Sequence, residues 1–225
     1  MARQRSVFDI IGPVMIGPSS SHTAGAVRLA ALARAIYGGQ PKRARIFLHG
    51  SFASTGPGHG TDLALVAGLL GLAPDDPGIR DAFRLAKDAG LDVEFGEIEL
   101  ADAHPNTAVF ELDSDILGDE HMRICGSSLG GGDVVVTGLD DYEVEATGEL
   151  PLLLVGHQDR PGEIAGVTAV LADAGVNVAA MRVSRQARGA HALMLIETDA
   201  EVDDATLERV AAIPGVTSAR RVPPV

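Results

Sequence analysis

Apolar residues recur with a helical period in three stretches of the first 100 residues. The first runs from Leu29 to Ile36 and ends at Gly38, and the others occupy residues 63–70 and 79–86. Alternating or continuous apolar runs predict strands at 45–49, 91–100, 108–112 and 134–136, and a strand or turn at 6–16. Helices therefore alternate with short strands through this part of the chain.

The pattern restarts at about Glu149. Strands and helices then follow in the order βαββαβ, at residues 152–155, 164–171, 176–184, 191–198, 203–213 and 216–222. This order is the ferredoxin-like plan. We therefore predict an α+β protein with an α/β domain over 1–148 and a ferredoxin-like domain over 149–225. The edge strands of such a small sheet predict pairing with a second copy or another subunit.

A run of hydroxyl side chains stands where the first helix is expected to begin. Its sequence is Gly17-Pro18-Ser19-Ser20-Ser21-His22-Thr23-Ala24-Gly25. The first turn of a helix has unpaired N–H groups and a positive dipole, so it readily binds a carboxylate or phosphate. One serine could act only as a helix cap, but four hydroxyls around a histidine favour an anion site that also holds a titratable group.

A second polar stretch, from Gly50 to Asp62, precedes the second helix. Its composition predicts a glycine-rich loop in which Thr61 or Asp62 caps that helix. His49 and His59 flank this loop, and each alone could equally be an ordinary surface or capping residue. We expect both to converge on one cleft with His22, because loops at the same ends of neighbouring elements tend to meet.

Two further turns carry weaker signals. The His104-Pro105-Asn106-Thr107 segment precedes a strand and has the composition of a common structural turn. The Gly130-Gly131-Gly132-Asp133 segment offers bare backbone to a cavity, although a flexible turn is its default interpretation.

Composition narrows the classes of function. The chain has 225 residues, of which 46% are hydrophobic, 4% are aromatic and none is Trp, so its composition suits a large core better than an aromatic surface for stacked bases. Its net charge is −13, and residues 88–149 hold seventeen carboxylates against one base, Arg123. This charge disfavours nucleic acid and anionic membranes as partners. The single cysteine, Cys125, excludes an internal disulfide, and with no signal-like or membrane-spanning stretch it predicts a cytoplasmic protein.

Taken together, these motifs resemble the β subunit of the bacterial iron-sulfur-dependent L-serine dehydratases. The resemblance rests on Ser19-Ser20-Ser21-His22-Thr23, on the segment from His49 to Asp62, and on His104-Pro105-Asn106. It covers most of residues 6–140, a region that also resembles the allosteric-substrate-binding domain of long phosphoglycerate dehydrogenases. Residues 150–225, which contain Asp159-Arg160-Pro161-Gly162, resemble an ACT domain, a common amino-acid sensor.

The resemblance implies deamination of L-serine to pyruvate and ammonia. It also implies a [4Fe-4S] cluster held by cysteines of a partner α subunit, with no metal bound by this chain. Its catalytic candidates are His22, His59 and His49. The groups implied to bind the substrate are Ser19, Ser20, Ser21, Thr23, Gly58, Thr61, Asp62, His104 and Asn106.

The ACT-like region implies an effector site for serine or a cation. The residues expected to line it are His157, Asp159, Gly162 and Asn177, although this region could serve only for homodimerisation. For the whole chain, the alternative function is a non-catalytic regulatory amino-acid-binding module like that of phosphoglycerate dehydrogenase. Histidines in both hydroxyl- and glycine-rich stretches favour the catalytic subunit over this regulatory module.

Overall fold

The computed structural model describes residues 14–114 and 120–225. The chain divides into two compact units, the first ending at Asp140 and the second beginning at Asp141. The apolar pattern placed this division after residue 148. Most of the strand or turn expected at 6–16 lies outside the described residues.

The first unit is a helical layer on a mixed sheet. Its helices are α1 (Gly25–Tyr37), α2 (Ser51–His59), α3 (Thr61–Leu70) and α4 (Ala82–Asp88), with a π-helical turn (Ser20–Ala24) before α1 and a 3₁₀ turn (Pro77–Asp81) before α4. Its strands are β1 (Arg43–Gly50), β2 (Asp92–Glu97), β3 (Asn106–Ser114), β4 (Glu120–Gly130) and β5 (Asp133–Leu139). They lie in the order β2-β1-β3-β4-β5, with β1 and β2 parallel and the other neighbours antiparallel.

Alternation along β1 decides which face of the sheet the helices cover. Ala44, Ile46 and Leu48 point to the buried face, where α1 and α3 pack on each other and α1 packs on β4 and β5. Burying one such Leu or Ile side chain contributes about 1.5–3 kcal/mol. The α1–α3 contact requires Gly68, because a Cβ there would lie 2.2 Å from the Val27 carbonyl oxygen.

The predicted loop from Gly50 to Asp62 is wrong. Residues 51–59 form helix α2, and Gly60, in the left-handed conformation, separates it from α3. The side chain of Phe52 is fully buried, and the backbone N–H groups of Ser51 and Phe52 donate to the Pro105 oxygen at 2.7 and 3.4 Å. These tertiary contacts override the poor helix propensity of the glycines that follow.

The second unit confirms the ferredoxin-like plan. Its elements are β6 (Tyr142–Ala146), β7 (Leu152–Gln158), α5 (Glu163–Asp173), β8 (Val178–Arg185), β9 (His191–Thr198), α6 (Asp204–Ala211) and β10 (Val216–Val222). The four strands from β7 onward form an antiparallel sheet in the order β10-β7-β9-β8. Leu153 and Val155 of β7 and Ile196 of β9 pack against Val167 and Leu171 of α5 in its core.

Candidate active site

The hydroxyl-rich stretch forms the π-helical turn that leads into α1, as the sequence predicted for a helix start. Ser19 caps this turn: its Oγ accepts from the His22 backbone N–H at 3.1 Å, and its carbonyl oxygen accepts from the Thr23 N–H at 2.9 Å. Ser20 and Ser21 are half-buried, whereas His22 is only 9% exposed. The turn therefore aims one imidazole inward and leaves serine hydroxyls at its rim.

Hydroxyl groups surround both nitrogens of the His22 ring. Nδ1 lies 3.1 Å from Ser21 Oγ and 3.5 Å from Ser19 Oγ. Nε2 lies 3.1 Å from Ser51 Oγ and 3.0 Å from Thr55 Oγ1, both on helix α2. The imidazole therefore links the π-helical turn to α2.

His59 completes a pair of imidazoles. Its ring centroid lies 5.1 Å from that of His22, and its Nδ1 lies 2.9 Å from the Thr55 carbonyl oxygen. Because a carbonyl oxygen only accepts, Nδ1 carries the hydrogen, and the neutral His59 ring keeps its lone pair on Nε2. His59 lies in the last turn of α2, not at a helix start, but it meets His22 as expected.

Gly50 and Pro105 determine where α2 begins. Gly50 has a φ of 57°, and a Cβ on it would lie 2.7 Å from the Pro105 carbonyl oxygen, which accepts from Ser51 N–H. The 104–107 turn thus holds the start of α2 beside His22. Within that turn, the exposed His104 accepts from the Asn106 N–H through Nδ1 at 3.1 Å, and Asn106 Nδ2 lies 3.4 Å from the Ser128 oxygen.

Burial is the main cause of a lowered pKa at His22. A hydrogen bond with the Ser51 backbone opposes the shift, and the neighbouring His59 lowers the pKa of His22 further. At neutral pH the His22 ring is therefore neutral and can accept a proton through only one nitrogen.

The other predicted substrate-binding residues take different positions. Thr23 and Thr61 are buried, and their hydroxyls have no hydrogen-bond partner within the described part of the chain. Gly60, not Thr61 or Asp62, stands at the N-cap of α3, so the predicted side-chain cap is wrong. Asp62 is half-buried in the first turn of α3, and Gly58 is exposed near the end of α2.

His49 has different partners from the other two catalytic candidates. It lies near the end of β1, where its Nδ1 is 3.3 Å from both the Ile98 oxygen and the Leu100 nitrogen. Its ring therefore contacts the backbone that follows β2.

The sequence reasoning missed the contribution of Ser51 and Thr55. The two residues are separated by one helical turn, so both hydroxyls face His22 Nε2. Their i, i+4 spacing would have pointed to this arrangement, but it has no meaning in a segment interpreted as a loop.

The four predicted effector residues lie at two places in the second unit. Asp159 accepts from the Gly189 N–H at 2.8 Å and from Arg185 at 3.1 Å, and Gly162 precedes α5. His157, two residues before Asp159, is buried, and its Nδ1 donates to the Gln158 oxygen at 2.8 Å. Asn177 lies just before Val178, at the end of β8 opposite Arg185, and its Nδ2 donates to Asp199 at 2.7 Å.

The residues that the structure describes support neither a metal-ion site nor an iron-sulfur cluster. Cys125, the one cysteine in the sequence, lies half-buried on β4, and no three His, Cys, Asp or Glu side chains among the described residues are placed to hold a metal ion. A cluster needs three or four thiolates, so these residues do not fit one. In the described ranges, no helix is both long and apolar enough to span a bilayer.

Comparison with known proteins places the chain in a family. Residues 6–122 match the serine dehydratase beta chain family and residues 152–215 match the ACT domain. The chain is 44% identical to a probable L-serine dehydratase beta chain of Bacillus subtilis, over 98% of this chain and 99% of that protein. It is 36% identical to the L-serine dehydratase beta chain of Peptoniphilus asaccharolyticus, over 96% and 97%.

Similarity to the alternative class is weaker. The D-3-phosphoglycerate dehydrogenase of Synechocystis is 26% identical over 86% of this chain but only 35% of its own length. The two dehydratase beta chains thus match this chain over nearly their whole length, whereas this dehydrogenase does not. The chain belongs to the serine dehydratase beta chain family and carries a C-terminal ACT domain.

Proposed function

We propose that this chain is the β subunit of a cytoplasmic L-serine dehydratase, a lyase that deaminates L-serine to pyruvate and ammonia. The observation that carries the proposal is the contact between His22 and His59, whose ring centroids are 5.1 Å apart beside the hydroxyl-lined π-helical turn. Family membership supplies the reaction, and this pair supplies groups suited to it.

The reaction removes the α-proton of serine and its β-hydroxyl, and the resulting enamine hydrolyses to pyruvate and ammonia. Among the described residues, His59 is best suited to accept the α-proton, because its Nε2 keeps the lone pair while Nδ1 donates a hydrogen bond to the Thr55 carbonyl oxygen. The first turn at Ser20 and Ser21 has backbone N–H groups suited to the substrate carboxylate. Hydrogen bonds at both ring nitrogens hold His22 in place, so its role is to position the groups around it.

We assign the [4Fe-4S] cluster of the reaction to the α subunit. This chain has a single cysteine, and its described residues form no metal-ligating group. The active site is then completed only when the two subunits assemble. His49, His104, Asn106, Gly58, Thr61 and Asp62 remain candidates whose contact with substrate depends on that assembly.

Anaerobic co-expression with a cysteine-bearing α chain tests the proposal through a pyruvate assay. Replacing His59 with Ala should lower turnover by about 10²–10⁴-fold while leaving the complex assembled, as judged by size-exclusion chromatography. Replacing His191, an exposed residue of the ACT domain, with Ala is the matched control and should leave turnover unchanged. Wild-type turnover in the His59→Ala complex would rule out the role of His59, and an inactive wild-type complex would contradict the function.

For the ACT domain, we propose a homodimer through β8 and an effector site for serine or a cation at that interface. Strand β8 is the edge of its sheet, with Met181 and Val183 about two-fifths exposed. Antiparallel pairing of two β8 strands brings the Asn177 end of one copy beside the Arg185–Asp159 end of the other. This would unite the effector residues that a single chain keeps apart.

A further inference from the structure

Four hydroxyls contact the His22 ring, two at each nitrogen. Ser19 and Ser21 lie at Nδ1, and Ser51 and Thr55 lie at Nε2. A neutral imidazole donates from one nitrogen and accepts at the other. The position of a single hydrogen on the ring therefore determines the direction of every hydrogen bond around it.

The hydroxyl of Thr55 decides which nitrogen of His22 carries the hydrogen. Thr55 Oγ1 lies 2.8 Å from the Ser51 carbonyl oxygen, one turn earlier in α2, and that oxygen can only accept. The one hydrogen of Thr55 is used in this bond, so at 3.0 Å from His22 Nε2 its oxygen can only accept. Nε2 of His22 then carries the hydrogen, and Nδ1 holds the lone pair.

The lone pair on Nδ1 fixes the direction of the bond to Ser21. Ser21 Oγ, at 3.1 Å, must donate its hydrogen to Nδ1. The Ser19 hydroxyl is farther from Nδ1, at 3.5 Å, so Ser21 is the better-placed donor. With its hydrogen directed at the imidazole, the Ser21 oxygen presents only lone pairs to the site.

We propose that Thr55 is a positioning residue that holds His22 in its Nε2–H tautomer, so that Ser21 accepts a hydrogen bond from the ammonium group of the substrate. This inference rests on the proposed function, because it names the part of the amino acid that Ser21 recognises. The opposite tautomer would turn the Ser21 hydrogen outward, toward a carboxylate. With backbone N–H groups of the turn available for the carboxylate, an acceptor at Ser21 distinguishes the two ends of an amino acid.

Nitrogen-15 NMR of the full-length chain, labelled at histidine, tests the tautomer without any enzyme assay. The signals of His22, assigned by their loss in a His22→Ala variant, should show a protonated Nε2 and an unprotonated Nδ1 at neutral pH. Thr55→Ser should preserve this pattern, whereas Thr55→Val should lose it, because the hydroxyl that remains at Nε2 is that of Ser51, which can either donate or accept. A protonated Nδ1 in the wild-type chain would overturn the proposal, even if Thr55→Val did not fold.

Binding by the assembled complex tests the consequence for the substrate. Thr55→Val and Ser21→Ala should each raise the KM for L-serine by about tenfold, the effect of one hydrogen bond, and the double variant should show much less than the product of the two effects. Inhibition by 3-hydroxypropanoate, which lacks the amino group, should be unchanged by Thr55→Val. If Thr55→Val weakened the binding of serine and of this inhibitor equally, the proposed recognition of the ammonium group by Ser21 would be wrong. If the wild-type complex did not act on serine, the proposed function would fail, while the NMR result would still decide the tautomer.

Discussion

Burial lowers the pKa of His22 below its ordinary value, and this makes stability depend on pH. Below the unfolded-state pKa of about 6.5, the unfolded chain binds a proton that the folded chain does not, so the free energy of unfolding should fall as the pH is lowered. Above that pH the contribution of His22 should be constant. Urea unfolding between pH 7.5 and 5 should show a shallower loss of stability in His22→Gln than in the wild type.

His191, which is exposed, offers the matched control for this measurement. The His191→Gln chain should lose stability with falling pH as steeply as the wild type. Parallel curves for His22→Gln and the wild type would contradict the shift at His22.

At the level of single residues, the sequence pointed to two of the four hydroxyls that contact the His22 ring, those of Ser19 and Ser21. The Ser19–Thr23 run was recognisable because its residues are adjacent and precede an amphipathic helix, a purely local signal. The other two, Ser51 and Thr55, are 29 and 33 residues away from His22 in the sequence. No local pattern reports such pairs, so only the folded chain shows that a second set of hydroxyls surrounds the same ring.

At the level of elements, the start of α2 depends on Gly50. Replacing it with Ala should lower the free energy of unfolding by about 1–3 kcal/mol, because alanine is strained at a φ of 57° and its Cβ would contact the Pro105 oxygen. Turnover in the complex should also fall, since Ser51 and Thr55 would move relative to His22. Chemical denaturation and the pyruvate assay would measure the two effects.

Gly39 provides the control for this substitution. A Cβ on Gly39 would have no atom within 4 Å, so Gly39→Ala should leave stability and turnover close to the wild type. Equal stability of the Gly50→Ala and Gly39→Ala chains would show that Pro105 does not hold α2 in place.

The elements also show where the spacing of apolar residues predicts secondary structure correctly and where it does not. Helix α1 and the strands of the ferredoxin-like unit were predicted within a few residues, because each buries one face and so carries a regular apolar pattern. Helix α2 has no such pattern: its anchor is Phe52 and its first N–H groups bond to a distant turn. Its glycines favour a loop in isolation, and tertiary contacts reverse that preference.

At the level of the whole molecule, the edge strand β8 is the feature that predicts assembly. Met181→Lys should convert dimers of the chain to monomers, because it places a charge at the apolar edge where two β8 strands would pair. Phe83→Lys, at a similarly exposed apolar residue of the first unit, should leave the dimer intact. Sedimentation velocity would distinguish the two, and a dimeric Met181→Lys chain would contradict pairing through β8.

The sequence by itself determined the two-unit α and β composition, the βαββαβ order and the hydroxyl-rich turn, because each depends on residues that are close together in the chain. It also indicated the family, through short motifs kept in order along the chain. The tertiary structure alone decided that α2 is a helix, that His59 meets His22 from its last turn, and that Thr55 bonds to the buried ring. These features depend on contacts between residues far apart in the chain, which form only when the sheet and the helices pack together.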